Sequence, residues 1–438
     1  MFLRNRFYLA IGVSAFVTGL GYIFPVLFGV GRVMLLLLAI LTAADFLMLY
    51  YKKGIRARRE CASRFSNGDD NEVRIHIENT YPFHVWLDVV DEIPFIFQRR
   101  DVCSQLSLSP DGAPVCMSYY LRPTRRGVYG FGHIRLFVRT AIGLLERRYT
   151  QGEPVDVAVY PSYLMLNRYE LLAMSNRLTE LGIKKIRRVG NNTEFEQIKE
   201  YVKGDEYRTI NWKASARRHQ LMVNVYQDER SQQVFSCIDK GRVMQQAFEG
   251  MTLLDYAINA TLVLSHIVIR KEDKAGVVTF ADRFDSFVPA MRKPGHIQTI
   301  MESLYAQQTS FGETDFSHLY VNLNKHVSKR SLFILYTNFS GVTEMERQLP
   351  FLKHLNSRHR LLVVFFEDVE LLSYIQSQAH GTEEYYQHVI AEKFAFEKRL
   401  IVSKLKQHGI LSLLTVPERL SVDVINKYLE LKTRQMLT

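Results

Sequence analysis

The chain has 438 residues, of which 47% are apolar and 23% charged, and a formal net charge of +11. That balance excludes long disorder and points to two or three domains. Its four cysteines, Cys61, Cys103, Cys116 and Cys237, form no CxxC pair and no zinc spacing, which excludes a disulfide scaffold and fits reduced thiols.

The first sixty residues carry two long apolar runs. Phe7 to Gly31 has no charged side chain, and Val33 to Tyr51 has only Asp45. A bilayer core takes about 20 apolar residues per helix. The runs therefore predict two membrane spans joined by a tight turn around Pro25 to Arg32, a hairpin over residues 1–59. Arg4 and Arg6 precede it, and Lys52, Lys53, Arg56, Arg58 and Arg59 follow it. Positive residues stay on the cytoplasmic side, so both chain ends and the remaining bulk are expected in the cytoplasm of a bacterial inner membrane protein. The same charges suit anionic headgroups, which weakens a nucleic-acid reading of the +11. Asp45 within a span is either functional or paired with a neighbouring helix.

Residues 60–161 alternate with period two. Val73, Ile75 and Ile77 are interleaved with polar residues; Val85, Leu87 and Val89 behave alike, as do Ile134, Leu136 and Val138. Short alternating strands separated by turn residues predict an antiparallel β-sandwich-like domain. His76, His84 and His133 stand alone there and read as surface or packing residues.

Residues 162–231 form a connector, with a helix expected over Leu164 to Leu181 and a charged stretch from Glu194 to Glu229. Over residues 232–438 near-continuous apolar strands, "VFSCID", "AGVVTF", "SLFILYTN", "RLLVVFF" and "LSLLTV", alternate with helices. That pattern predicts a doubly wound α/β domain with a mostly parallel sheet covered on both faces. Ligands of such sheets bind beyond the carboxyl ends of the strands, here near Asp239, Asn338 and Phe366 to Asp368. No GxGxxG or Walker A motif lies there, and no cofactor is expected.

The charged stretch has its own logic. Asp205 is placed to cap a helix over Glu206 to Arg218. Tyr207, Ile210 and Ala214 then share a face, Trp212 fills a junction pocket, and Arg208, Lys213 and Arg217 find partners among Glu200, Asp205 and Glu229. Leu221, Val223 and Val225 continue as an extended segment. The expected role is a clamp between domains, the alternative a docking surface; no nucleophile with an adjacent base is visible.

"EFEQIKEYVKGDEYRTINWKASARRHQLMVNVYQDE" resembles the signature of the family called domain of unknown function 58. The matching residues are Glu194, Phe195, Glu200, Tyr201, Gly204, Asp205, Arg208, Ile210, Trp212, Ala216, Arg217 and Glu229; Lys199 and Asn211 depart from the residues the family often has. "RPTRRGVYGFG" and "AIGLLERR" also resemble family segments, with Thr140 where Asp is common. The resemblance implies a bacterial membrane-anchored protein with a von Willebrand factor A-like domain, working beside a MoxR-type AAA+ ATPase. It also implies that the A-like domain should be checked for a metal-ion-dependent adhesion site of the form Asp-x-Ser-x-Ser, then Thr, then Asp. This chain supplies Asp239, Gly241, Val243, Thr314 and Asn338 at those positions, so hard oxygen ligands are missing and no functional metal is expected. The reading is a non-enzymatic membrane-anchored adaptor or scaffold; the alternative is a peptide- or glycan-binding receptor module. A hydrolase or a nucleic-acid binder finds no supporting motif.

Overall fold

The computed structural model describes the chain apart from residues 98–102, 111–112, 166–192, 203–204, 206, 208–209, 229–230, 310, 378–380 and 435–438. It divides into two compact units, Met1–Tyr160 and Pro161–Thr438.

The first unit opens with β1 (Phe2–Leu3), followed by helices α1 (Asn5–Leu20) and α2 (Pro25–Tyr50). The turn falls at residues 21–24, earlier than expected, because Pro25 lacks an N–H and its fixed φ suits the first turn of α2. Arg32 is therefore inside α2. At 16 residues α1 is ~24 Å long; α2, at 26, is ~39 Å. Two described helices are long and apolar enough to cross a bilayer: α2, whose side chains are mostly exposed, and a second that is a buried core helix of the other unit.

The helical pair packs through small residues. Ser14 and Gly31 are buried, and a Cβ on Gly31 would come within 2.2 Å of the Thr18 hydroxyl. Large apolar side chains such as Leu9, Phe16, Val33 and Leu36 point outward. The second helix does not end free. Asp45 is 0% exposed and accepts hydrogen bonds from Thr140 Oγ1 (2.5 Å), Leu144 N (3.0 Å) and Leu145 N (2.8 Å). Tyr81 Oη (2.7 Å) and Arg147 Nη1 donate to the Leu49 carbonyl in the last turn. Asp45 thus fastens α2 to the β layer.

That layer comprises β2 (Ile55–Cys61), β3 (Arg64–Ser66), β4 (Asn71–Asn79), β5 (Val85–Asp91), β6 (Cys103–Leu108), β7 (Val115–Leu121), β8 (Gly127–Phe131), β9 (Ile134–Arg139), β10 (Leu145–Gln151) and β11 (Val155–Tyr160). They form sheets ordered β1-β10-β9-β5-β6, β2-β4-β7 and β3-β11-β8. The alternating residues read from the sequence, Val73 through Val138, are buried in one shared core. Pairing is antiparallel throughout except for β3 on β11, which is parallel. Arg59 departs from its expected place beside the membrane. Its side chain is buried in a bidentate pair with Asp91 and lies 5.0 Å from the Phe131 ring.

In the second unit β12 (Thr193–Glu200) and β13 (Met222–Asp228) make an antiparallel hairpin, with α3 (Trp212–Arg218) between them. The sheet that follows is six-stranded. Its strands are β14 (Gln233–Asp239), β17 (Lys274–Phe280), β18 (Phe284–Met291), β19 (Leu332–Tyr336), β20 (Arg360–Phe366) and β21 (Leu411–Thr415), with a small ribbon of β15 (Ala247–Phe248) and β16 (Met251–Thr252) beside it. The order is β18-β17-β14-β19-β20-β21, parallel save for β18. Helices α4 (Leu253–Arg270), α5 (His296–Tyr305), α6 (Phe316–His326), α7 (Val342–Arg358), α8 (Val369–Gln376), α9 (Thr382–Gln407) and α10 (Leu420–Thr433) flank it. Alternate residues of each central strand feed two cores. Ile238, Ile334, Tyr336 and Val364 meet α4, α5 and α10; Cys237, Leu335, Val363 and Phe365 meet α6, α7 and α9. This is the doubly wound arrangement expected from continuous apolar strands. The helix expected over Leu164 to Leu181 lies almost wholly outside the described residues.

Candidate functional site at the carboxyl edge of the sheet

Five positions singled out in the sequence converge where β14 and β19 end. Asp239 is 0% exposed. Its Oδ1 accepts from Thr314 Oγ1 (2.7 Å) and Gly241 N (2.8 Å), and its Oδ2 from Thr337 Oγ1 (2.6 Å). Burial pushes the Asp239 carboxyl above its ordinary range, against the opposing pull of those donors. A Cβ on Gly241 would lie 1.8 Å from Thr314 Oγ1, so the missing serine could not be restored without moving the threonine. Val243 packs on the apolar core. Asn338 Oδ1 accepts from Lys398 Nζ at 2.5 Å, and the same ammonium donates to the Phe339 carbonyl at 2.7 Å.

These residues do not fit a divalent ion. Two hydroxyl oxygens are absent, and the third-loop oxygen already faces an ammonium that would repel a dication. Among the described residues no group of three His, Cys, Asp or Glu side chains is placed to hold a metal. Lys240, next in sequence to Asp239, does not pair with it: its Nζ donates to Asp285 and the Gln308 carbonyl. Sequence reasoning missed Lys398, which lies on α9, sixty residues from its partner, in a run that reads as an ordinary charged helix. Burial depresses its ammonium to about 8, against the attraction of Glu344 and Asp368.

Beside Lys398 a groove of about 380 Å³ opens between the ends of β14, β19 and β20. Phe248, Phe339, Phe366, Leu371 and Phe394 give it an apolar lining. Its charged lining is Glu367, Asp368, Glu370 and Glu397 against Arg242 and Lys398, four acids to two bases. From α9, Phe394, Ala395, Glu397, Lys398 and Ile401 line the groove; Tyr385, Val389 and Phe396, exposed on the same helix, lie on the opposite side of its axis at about 3.6 residues per turn. The rim is acidic on a chain whose net charge is +11.

The charged stretch is built differently from the expectation. Asn211, not Asp205, caps its helix, accepting from Ala214 N at 3.0 Å. Asp205 closes a turn instead, accepting from Val202 N (3.0 Å) and Lys199 Nζ (2.9 Å). Trp212 fills no pocket: it is 70% exposed, as Tyr207 largely is. At the first helical position the indole leaves the hairpin surface. Ile210 bridges to Val223, and Tyr201 N donates to the Leu221 carbonyl at 2.8 Å. Ser215 Oγ accepts from Met222 N (2.8 Å) and donates to the Asn211 carbonyl (2.8 Å), a structural role. Glu200 and Arg217 are exposed. Gly204, Arg208 and Glu229 lie outside the described residues, as do the side chains of Glu194 and Phe195.

A curated relative, the uncharacterized protein YeaD of Bacillus subtilis, is 24% identical over 277 residues, 60% of this chain; the match spans 64% of the relative's length. Among solved structures, BatB of Bacteroides thetaiotaomicron, a conserved hypothetical protein, aligns over 47% of this chain and all of its own, with 11% identity and a TM-score of 0.30. The CARDB domain of a Pyrococcus furiosus protein aligns over 25% of this chain and 93% of its own, with 15% identity and a TM-score of 0.19. Residues 197–372, from the second half of β12 into α8, match the model described as "Protein of unknown function DUF58", a stretch that takes in the capped helix, Asp239, Thr314 and Asn338.

Proposed function

We propose that this is a membrane-anchored, non-enzymatic adaptor whose carboxyl-edge groove receives a partner protein. The observation that carries the reading is the apolar groove, whose lining includes the exposed aromatic ring of Phe394. Contiguous apolar surface of that kind marks an interaction site. The acidic rim favours a basic, amphipathic partner segment, which suits a peptide ligand better than a glycan. The buried carboxylate and ammonium at the edge are spent on internal hydrogen bonds, which supports binding over catalysis. By resemblance the partner is a MoxR-type AAA+ ATPase, and the unit's fold reads as von Willebrand factor A-like. The outward apolar faces of α1 and α2 support the anchor, with both ends in the bacterial cytoplasm.

The test is copurification of the full chain in detergent with an AAA+ ATPase encoded beside it. A complex that survives 0.1 M salt, and is lost in Phe394→Glu and Leu371→Gln variants with unchanged melting temperature, supports the reading. A complex indifferent to both substitutions removes the groove from the interface, and absence of any complex removes the ATPase.

A further inference from the structure

The first unit holds a cavity that the adaptor reading does not use. It has a volume of about 850 Å³ and lies at the foot of the helical pair, where β1 passes into α1. Its charged lining is Arg4, Arg6 and Arg139 against Glu146, three bases to one acid. Trp86 completes the wall.

We propose that this cavity binds the phosphate of an anionic phospholipid headgroup. The inference rests on reading α1 and α2 as membrane-spanning, which puts the cavity at the depth where the apolar helices leave the headgroup layer. Arginine forks suit phosphate oxygens, and indole side chains favour this interface. The arginines are only loosely engaged by protein carboxylates. Arg4 Nε stands 3.5 Å from Glu146, and Arg139 Nη1 stands 3.6 Å from Asp88. Arg6 folds over the backbone of Gly143, where a Cβ would come within 3.2 Å of its Nη1. Gly143 also has φ +66°, so a glycine there serves both the turn and the guanidinium. The helix beside the cavity has no side-chain cap and no acid in its first turn, an arrangement that an anion stabilises. The positive excess selects an anionic headgroup over a zwitterionic one, whose ammonium would meet the same arginines.

The test uses the full chain in neutral detergent, titrated with short-chain phosphatidylglycerol, short-chain phosphatidylcholine and inorganic phosphate, with melting temperature as the readout. Phosphatidylglycerol is expected to raise the melting temperature saturably. Arg6→Gln should weaken its apparent affinity roughly ten-fold, and Ala141→Glu, which adds a carboxylate at an exposed wall position, should abolish the shift. Equal shifts from phosphatidylcholine, or a phosphatidylglycerol shift that survives both substitutions, overturn the proposal. An equal shift from inorganic phosphate alone assigns the site to a free anion and overturns the lipid. Carbonate extraction of membranes from the same cells tests the anchor separately: release of the parent chain refutes the spanning helices whatever the titration gives, and retention of parent and variants alike confines any lost shift to the cavity.

Discussion

At the scale of single residues, the carboxyl edge is defined by two groups titrating against their ordinary tendency. Asp239 has a folded-state pKa above its unfolded value of ~3.9. Its contribution to stability is therefore fully present below that value and is lost as pH rises through the folded pKa. Asp239→Asn should raise the melting temperature at pH 7.5, with the gap closing toward pH 4; Thr337 then rotates its hydroxyl to accept. A variant that melts lower at pH 7.5 in metal-free buffer would show that the negative charge is used. Lys398 runs the other way. Its folded pKa of about 8 lies below the unfolded ~10.4, so the stability it contributes is present above ~10.4 and lost as pH falls through 8. Acylation of Lys398, followed by peptide mass spectrometry, should show a half-maximal rate near pH 8, where exposed lysines still react slowly. A profile parallel to the surface lysines would refute the depressed pKa. None of this was legible in the chain, because Lys398 and Asn338 meet through tertiary packing and leave no local pattern.

At the scale of elements, periodicity was readable where one face is buried and misleading where tertiary context decides. Val73, Ile75 and Ile77 alternate because β4 buries one face, and the apolar runs read over residues 232–438 recur as β14, β17, β19, β20 and β21. The short helix of the charged stretch did not. Asp205 and Asn211 are both good caps, and the hydrogen bond from Asn211 Nδ2 to Asn224 Oδ1 (2.8 Å) ties the latter to β13 and settles the choice. Asn211→Ala should accordingly cost about 1 kcal/mol in chemical denaturation, whereas Trp212→Ala should leave the midpoint nearly unchanged. A large loss in Trp212→Ala would restore the clamp and contradict the exposed indole. The buried pair on β2 and β5 behaves in the opposite sense. Arg59 and Asp91 also engage the Gly132 carbonyl and the Tyr119 hydroxyl. Asp91→Ala strands the guanidinium and should destabilise the first unit by about 3–5 kcal/mol, measurable as a lower denaturation midpoint. In the sequence Arg59 looked like one more positive residue after a membrane span, since pairing across sheets is invisible in a run of arginines.

At the scale of the whole molecule, the sequence showed two units of different period and a leading apolar hairpin. What it could not show is that the hairpin is structurally continuous with the β layer. The first strand pairs with β10, and Asp45 is held by Thr140 and the amides of residues 144 and 145, so both feet of the hairpin end on the β9–β10 corner. Asp45 is thus a fastening point at the base of α2, and Pro25 to Ala44 above it, in which Arg32 is the one charged residue, makes about 30 Å of helix, close to one hydrocarbon thickness. The tip of the hairpin carries Tyr22, 95% exposed, in an apolar turn. If the pair spans the bilayer, that tip and the β layer face opposite compartments, and the chain supplies its own reporter, because Cys116 on β7 is a free, exposed thiol. A membrane-impermeant maleimide added to intact spheroplasts should label Tyr22→Cys but leave Cys116 untouched until lysis. The substitution falls in a turn with no core contact, so folding should be unaffected. Labelling of Cys116 but not of Tyr22→Cys before lysis would reverse the orientation of the β layer, and labelling of both would put tip and β layer on one side and refute the spanning hairpin. Labelling of neither until lysis would leave the hairpin on the cytoplasmic side, an apolar wedge lying on one leaflet, and would refute the spanning helices.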